Sequence, residues 1–386
     1  MEVSARASVL QYSGRQISNI HISHIRINDT KGKIHLSDFM KIVWLSSRVL
    51  GSDLCSTTQI QLANGLVSKG HSVDFYSPGI SVTNAFNHHS IERSSRRGFQ
   101  ARSVVKKLHE HLEEINSADA VLIDWPIFSI ATKIKPQVVL IDRGPPADNG
   151  ILAMLQWRPW RKAWSKVNKG TTVSAAHRQF VIEKTKSAEK SIQVIPAGVD
   201  LELFQPGKKE GPIKLAYHGR VDVHRGVMSL PMILAGLQLQ GIDATLHIHG
   251  TGNAVERLRN IGMDGLEVTE AIPQEDLAAK LATYDVGFLP MPEHKVWSLA
   301  SPLKRSEYLA SGIVVCGIDH SGHQIDGSGE WLQLSSQKDF INDSVAWIKS
   351  QDRRSLSALQ NGSRKYAEES LSWSHSVDAL ESIILS

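Results

Sequence analysis

The chain has 386 residues, 41% apolar and 21% charged, with a formal net charge of +4. That length suits two domains better than one, and the composition is ordinary for a soluble globular chain. No run approaches the roughly 20 apolar residues needed to cross a bilayer, and the polar N-terminus lacks an apolar signal core. The two cysteines, Cys55 and Cys316, suit a reduced cytosolic protein better than a disulfide-bonded one, so a cytoplasmic location is expected.

In chain order, residues 1–39 stand apart. The stretch 20–36, with isoleucines at alternating positions and a DTKG turn, fits either a hairpin or a disordered extension. From Met40 apolar strands alternate with amphipathic helices. KIVWLS is a strand, and STTQIQLANGLVSKG is a helix with Ile60, Ala63, Leu66 and Val67 on one face. HSVDFYS, ADAVLID, QVVLID, GTTVS and SIQVIPAG are further strands. LELFQPGKKEGP, with two prolines and two glycines, reads as a linker. The alternation then restarts with strand IKLAYHG, a helix from Arg225 to Gly241, strands ATLHIHG, LEVTEA, DVGFLP and IVVCGI, and the helices between them. Such alternation predicts parallel sheets covered on both faces. The fold class expected is α/β, with two doubly wound Rossmann-like domains facing across a cleft: 40–200 and 201–370, with a helix at 371–386 packing back toward the first. Residues 40–195 carry an excess of Lys and Arg, and residues 196–386 an excess of Asp and Glu, so the halves offer surfaces to different partners.

Three segments are specific. IPAGVDLELFQP (195–206) presents Gly198, Val199, Asp200, Phe204 and Pro206 in fixed spacing, with Ala197 ahead of them. YHGRVDVHRG (217–226) places Arg220 and Arg225 after a strand, with a helix N-terminus just after Gly226; arginines and a helix N-terminus both suit phosphate oxygens. SPLKRSEYLASG (301–312) sets Lys304 one helical turn before Glu307, with Ser301 as a cap and Pro302 in the first turn, leaving the N–H groups of Leu303 and Lys304 free.

Together these segments resemble family-4-like retaining glycosyltransferases of the B fold, whose signatures are IPNGVDxxxFxP, GRxxxxKG and PxKxxEYxAxG. The resemblance covers about residues 40–386, most firmly 192–320. It implies transfer of a hexose-type sugar from a UDP- or GDP-sugar with retention of configuration. The donor diphosphate would sit on Arg220, Arg225, Ser301, Leu303 and Lys304, with Glu307 accepting from ribose hydroxyls. Arg225 takes the place of the family's lysine. Leu299 stands where many relatives carry an earlier glutamate that contacts the transferred sugar, which puts the donor-sugar contacts in doubt.

In the first domain, Gly51 in RVLGSDLCSTTQ is the counterpart of a glycine-rich donor loop, although a plain turn capped by Ser56 or Thr57 explains it almost as well. Asp124 in ADAVLIDWP replaces a histidine tied to activity; it reads either as a catalytic or sugar-binding group or as a cap on the following turn. Arg143 in DRGPP lies at the same edge, toward an anionic acceptor or the donor. No D-x-D pair is present, so no metal and no cofactor are expected: the nucleotide sugar is a substrate and UDP or GDP a product. Cationic groups would carry the leaving charge. His247 and His249, at alternate positions of one strand, lack a third metal ligand. The acceptor side is read from basic, aromatic segments: 92–107, and WRPWRKAWSK with Trp157, Arg158, Trp160, Arg161, Lys162 and Trp164. These suit either an anionic membrane interface, at the inner membrane face with a glycan or lipid-linked acceptor, or a solvated helix with tryptophans in the core. No nucleic-acid partner is expected. The alternatives to a transferase of cell-surface polysaccharide or glycoconjugate synthesis are a B-fold epimerase or phosphorylase, and a catalytically inactive relative that binds nucleotide sugar as a partner subunit.

Overall fold

A strand that runs into a helix and returns to the same sheet must re-enter it parallel, and both sheets of this chain are built that way. The structure is a computed structural model describing residues 39–53, 55–81, 83–146, 151–186 and 192–386. The stretch 20–36, read as a hairpin or extension, lies outside the described residues. Met40–Ser386 form one compact unit with two lobes.

The first lobe contains β1 (Lys41–Leu45), β2 (Ser72–Ser77), β3 (Asn87–Ser90), β4 (Ala120–Asp124), β5 (Gln137–Ile141), β6 (Lys169–Thr172) and β7 (Ile192–Val194). Their order across the sheet is β3-β2-β1-β4-β5-β6-β7, all parallel. Its helices are α1 (Ser56–Ser68), α2 (Gln100–Leu108), α3 (Leu112–Asn116), α4 (Ile151–Trp164) and α5 (Ala175–Thr185). Side chains alternate along each strand, so β1 serves two cores. Ile42 and Trp44 pack with Leu62 and Leu66 of α1, and Val43 and Leu45 pack with Val104 and Leu108 of α2.

The second lobe contains β8 (Ile213–Arg220), β9 (Ala244–Thr251), β10 (Leu266–Thr269), β11 (Val286–Leu289), β12 (Val314–Ile318) and β13 (Leu332–Ser335), ordered β10-β9-β8-β11-β12-β13. Around it lie α6 (Leu230–Leu239), α7 (Val255–Arg259), α8 (Gln274–Leu281), α9 (Leu303–Ala310), α10 (Phe340–Ser350) and α11 (Arg353–Ser370). The final helix, α12 (Trp373–Leu385), crosses back. Its Val377, Leu380, Ile383 and Ile384 are buried with Ile42, Leu62 and Phe75 of the first lobe, and Lys69 and His71 both reach Glu381 (2.6 and 3.0 Å).

The two crossings are stitched together. Val199 N–H donates to Leu371 O (2.8 Å), and Trp373 N–H returns to Val199 O (3.3 Å). Gly198 sits under the Trp373 ring, where a Cβ would lie 2.7 Å from ring carbons. That close approach explains the glycine in IPAGVD: the motif is the seam between lobes.

Candidate functional site

In doubly wound sheets ligands collect beyond the carboxyl ends of the strands where strand order reverses. In the second lobe that point lies between β8 and β11. Strand β8 ends in His218, Gly219 and Arg220, and α9 presents Lys304 and Glu307 to it. Three residues apart, they share one helix face, while Tyr308 and Leu309 fill the core. Lys304 Nζ lies 3.9 Å from the centre of the Tyr217 ring, and a Cβ on Gly219 would stand 3.6 Å from that nitrogen. Glu307 Oε2 is 3.3 Å from His218 Nε2. Arg225 completes the group, its Nη1 3.6 Å from Met291 Sδ and its guanidinium 5.7 Å from the Trp297 ring. Among the described residues, Lys304 Nζ and Arg225 Nε are buried with no hydrogen-bond partner.

Burial of these charges is costly, and it shows in their protonation. Burial pushes Lys304 down to about 7, with Arg225 pushing the same way and Glu307 opposing. Burial pushes Glu307 up to about 7 against the pull of Lys304. His218 is held well below its usual value by burial, then by Lys304 and His249, so it stands neutral beside Glu307. Unpaired buried donors cost about 1–3 kcal/mol each, and strained protonation of this kind marks sites kept for a ligand. A lysine without an acceptor and an arginine with an unpartnered Nε, beside one carboxyl, fit an anion joined to a hydroxyl-bearing group.

Of three expectations for this lobe, the structure corrects one. Arg220, at the end of β8 beside His218, pairs its guanidinium with Asp222 (3.2 Å), and its side chain is 54% exposed. Asp222 sits below its usual range because backbone donation at Asn253 and the Arg220 charge outweigh burial. Helical backbone begins just after Gly226, in a 3₁₀ turn, Val227–Ser229, that runs directly into α6. Gly226 itself is fixed, since φ is +76° and a Cβ would lie 2.1 Å from Pro290 O. Ser301 does not cap α9. The cap position is Pro302, with no side-chain cap bond, and Ser301 Oγ instead accepts from Ala197 N–H (3.1 Å). Ser306 Oγ donates to Ala197 O (3.2 Å), so the α9 segment is clipped to the interlobe seam. With no side chain capping α9, the first-turn N–H groups at Leu303 and Lys304 receive no side-chain acceptor there.

Leu299 is buried, and its carbonyl accepts from Ser174 Oγ of the first lobe (2.8 Å). The neighbouring Trp297 stacks on His224 (5.6 Å between ring centres) and approaches His294 (5.2 Å). With Arg225 this makes an aromatic wall at the same loop edge.

In the first lobe the order reverses between β1 and β4, and Asp124 ends β4. Its carboxylate is fully engaged, accepting from Ser46 Oγ (2.6 Å), Gln59 Nε2 (2.9 Å) and Trp44 Nε1 (3.4 Å), with Arg48 3.9 Å away. Burial raises its pKa against those partners. It does not cap the following 3₁₀ turn, Trp125–Lys133; it ties β1 and α1 to β4. Gly51 has φ +81°, but its N–H donates to Ser56 Oγ (2.7 Å), so this donor is not free for phosphate. Neither Ser56 nor Thr57 caps α1; the cap position is Cys55, left-handed at φ 71°, with no side-chain cap bond. Arg143 gathers here too. Its Nη1 donates to Ile195 O (2.9 Å), its Nε is buried without a hydrogen-bond partner, and burial followed by Arg48 lowers its pKa while Cys55 and Asp124 oppose.

The tryptophan-rich helix is not one surface. Trp160 and Trp164 are buried and both indoles donate to Asp142 (2.6 and 2.8 Å). Burial alone would raise Asp142; His177 and these donors bring it below its usual range. Trp160 is therefore a core residue, not an acceptor or membrane contact. Trp157 is half-buried, stacked edge-on against Trp160, with Lys295 of the second lobe 4.6 Å from its ring centre. Arg158, Arg161 and Lys162 remain exposed, beside exposed Met154 and Leu155. His247 and His249 do share one side, stacked on Tyr284, but His249 is bonded to Tyr284 and Thr269 (2.7 and 2.6 Å). Among the described residues no cluster of three or more His, Cys, Asp or Glu could hold a metal ion, both cysteines are free, and no helix is long and apolar enough to cross a membrane.

The reading of the motifs passed over His218, Tyr217, Arg48 and Trp297. His218 and Tyr217 lie inside YHGR, where strand alternation puts Tyr217 and Gly219 on one side; no local signal pointed to Arg48 or Trp297.

Residues 56–203 match the sequence profile described as Glycosyltransferase Family 4. No curated protein matches the chain in sequence. Among solved structures, a sucrose-phosphate synthase from Thermosynechococcus elongatus matches with a TM-score of 0.72 at 16% identity, covering 89% of this chain and 98% of that one. A glycosyltransferase from Rickettsia africae matches with a TM-score of 0.69 at 15% identity, covering 89% and 98%. Anabaena HepE in complex with UDP and glucose matches with a TM-score of 0.66 at 12% identity, covering 90% and 100%. These likenesses establish the fold: two Rossmann-like domains across a cleft, the glycosyltransferase-B architecture.

Proposed function

We propose that the protein is a glycosyltransferase that moves a hexose-type sugar from a UDP- or GDP-sugar to a glycan or lipid-linked acceptor, with retention and without a metal. The observation that carries the reading is the trio of Lys304, Arg225 and Glu307 at the reversal point of the second sheet, with Lys304 Nζ and Arg225 Nε buried without hydrogen-bond partners beside a carboxyl. A nucleoside diphosphate supplies what each lacks: phosphate oxygens for Lys304 and Arg225, and ribose hydroxyls for Glu307. The family-profile match in the first lobe and the UDP held by the structurally similar HepE support the same donor class.

In this reading the bond between the anomeric carbon and the diphosphate oxygen breaks while the acceptor oxygen bonds to the same face of that carbon. The acceptor proton passes to a phosphate oxygen. Negative charge grows on the departing diphosphate, and preorganised cations stabilise it there more than in the bound donor. Arg220 enters only by exchanging its Asp222 partner for phosphate. Asp124 positions the β1 and α1 ends of the first lobe.

The protein would act in cell-surface polysaccharide or glycoconjugate synthesis from the cytoplasm. The exposed Met154, Leu155, Arg158, Arg161 and Lys162 face of α4 would meet an anionic inner membrane surface. A second reading, a nucleotide-sugar-binding subunit without turnover, is favoured by the saturation of Asp124 and by apolar Leu299. Incubation with a panel of nucleotide sugars in EDTA separates them: release of free UDP or GDP supports transfer chemistry, and tight binding with no release, even with membrane extract as acceptor, supports the second. Failure to bind any member refutes both.

A further inference from the structure

Outside the interlobe site, the first lobe carries an open cavity of about 570 Å³ against the outer face of α2. This is within the range of small-molecule sites. Val104 and Leu108 of α2 turn into the core, which leaves Arg102, Lys106 and His109 on the opposite, exposed face, at spacings that align them along the helix. Arg96 and the Phe99 ring, 54% exposed, line the same cavity. The wall is held in shape from within, as Ser94 N–H donates to Ser103 Oγ (2.8 Å) and Ser103 Oγ to Gln100 O (2.8 Å).

The charge here is unbalanced. The nearby carboxylates Glu92 and Glu110 are both paired with Lys107 (3.7 and 3.4 Å). Among the described residues none of Arg96, Arg102 and Lys106 has a side-chain hydrogen bond or ion pair. Arg93, next in sequence to Ser94, donates to Ser47 O (3.0 Å) and to Asp53 (2.8 Å) in the loop between β1 and α1. Arg93 thereby ties the chain just before the cavity to the loop at the first lobe's strand ends.

We propose that this cavity binds an acidic saccharide, the carboxylate- or phosphate-bearing portion of the acceptor glycan, remote from the hydroxyl that receives the sugar. Arginine forks match such anions, and an exposed aromatic ring offers an apolar plate for the C–H face of a pyranose. The volume suits one short chain segment. The proposal rests on the glycosyltransferase reading for the word acceptor, but its test does not.

The test measures binding of a hexamer of polygalacturonate, with neutral maltohexaose and anionic phosphatidylglycerol vesicles as comparison probes, to the full chain by calorimetry and sedimentation. The acidic hexamer binds, and binding weakens at least tenfold between 50 and 300 mM salt. Arg102→Glu with Lys106→Glu weakens it at least tenfold, Phe99→Ala weakens it several-fold, and UDP or GDP binding is unchanged in both variants. All three residues are exposed, so melting temperature confirms that the variants fold. No binding of the hexamer, equal binding of maltohexaose, equal binding by the charge-reversed variant, or vesicle binding lost in that variant without hexamer binding would each overturn the assignment. Loss of nucleotide binding across all proteins would instead count against the donor site alone.

Discussion

The depressed pKa of Lys304 makes donor affinity depend on pH in a calculable way. In the free protein Lys304 titrates at about 7 because burial and Arg225 disfavour its charge. It is charged below that value and neutral above it. A bound diphosphate favours the charged form and restores the pKa toward the usual 10.5, so above pH 7 binding must take up a proton. Each pH unit of that uptake costs about 1.4 kcal/mol, or tenfold in affinity. Between pH 7 and 9 the charged fraction falls from about one half to about one hundredth, so the affinity for UDP or GDP should fall about 50-fold. Calorimetry in two buffers of different ionisation enthalpy reads both the affinity and the proton uptake. Lys304→Met removes the slope and leaves weak binding at every pH. Glu307→Gln keeps the slope but displaces it to lower pH, since Glu307 opposes the depression of Lys304. A wild-type affinity that is flat from pH 7 to 9, or a slope that survives Lys304→Met, would refute the placement of the diphosphate on this lysine.

Other consequences follow from the same geometry. Glu307 has a raised folded pKa of about 7 against 4.5, so it costs stability as pH rises from the lower value to the higher; Glu307→Gln should raise apoprotein stability at pH 8 by about 2–3 kcal/mol while weakening nucleotide binding at least tenfold, as read by denaturant titration and calorimetry. Asp124→Ala strands the donors of Ser46 and Gln59 and should cost about 2–4 kcal/mol; if stability is untouched but turnover vanishes, Asp124 is catalytic after all. Gly226→Ala, with a Cβ 2.1 Å from Pro290 O at φ +76°, should lower the melting temperature by several degrees and donor affinity at least tenfold. Arg225→Ala should weaken UDP or GDP binding more than Arg220→Ala, because only Arg220 has a carboxylate partner already.

The parts of the site that could be read from sequence are those set by local spacing. Lys304 and Glu307 share a face because a helix repeats every 3.6 residues, and Pro302 fixes where that helix starts. Fold class came from the alternation of strand and helix patterns, which reflects burial on both faces of each sheet. Misreadings arose where a distant partner overrode a local rule. Asp124 gave no hint of its role because Ser46 and Gln59 lie 78 and 65 residues away in sequence. Ser301 has the chemistry of a cap, yet Ala197, 104 residues distant, supplies the N–H it accepts. Trp160 and Trp164 stand open between a basic, aromatic surface and the core; their four-residue spacing puts both on the face toward Asp142, and nothing local reveals that a buried carboxylate waits there. The motif gives no sign that Arg220 pairs with the carboxylate two residues on.

The central claim is that Lys304, Arg225 and Glu307 receive the nucleoside diphosphate of a sugar donor. Its most direct measurement is calorimetric titration of the full chain with UDP, GDP and their sugar conjugates in EDTA at pH 7. The account predicts saturable one-site binding of one nucleotide class, weakened at least tenfold in each of Lys304→Met, Arg225→Ala and Glu307→Gln. Binding of none of them, or binding indifferent to all three substitutions, would contradict it.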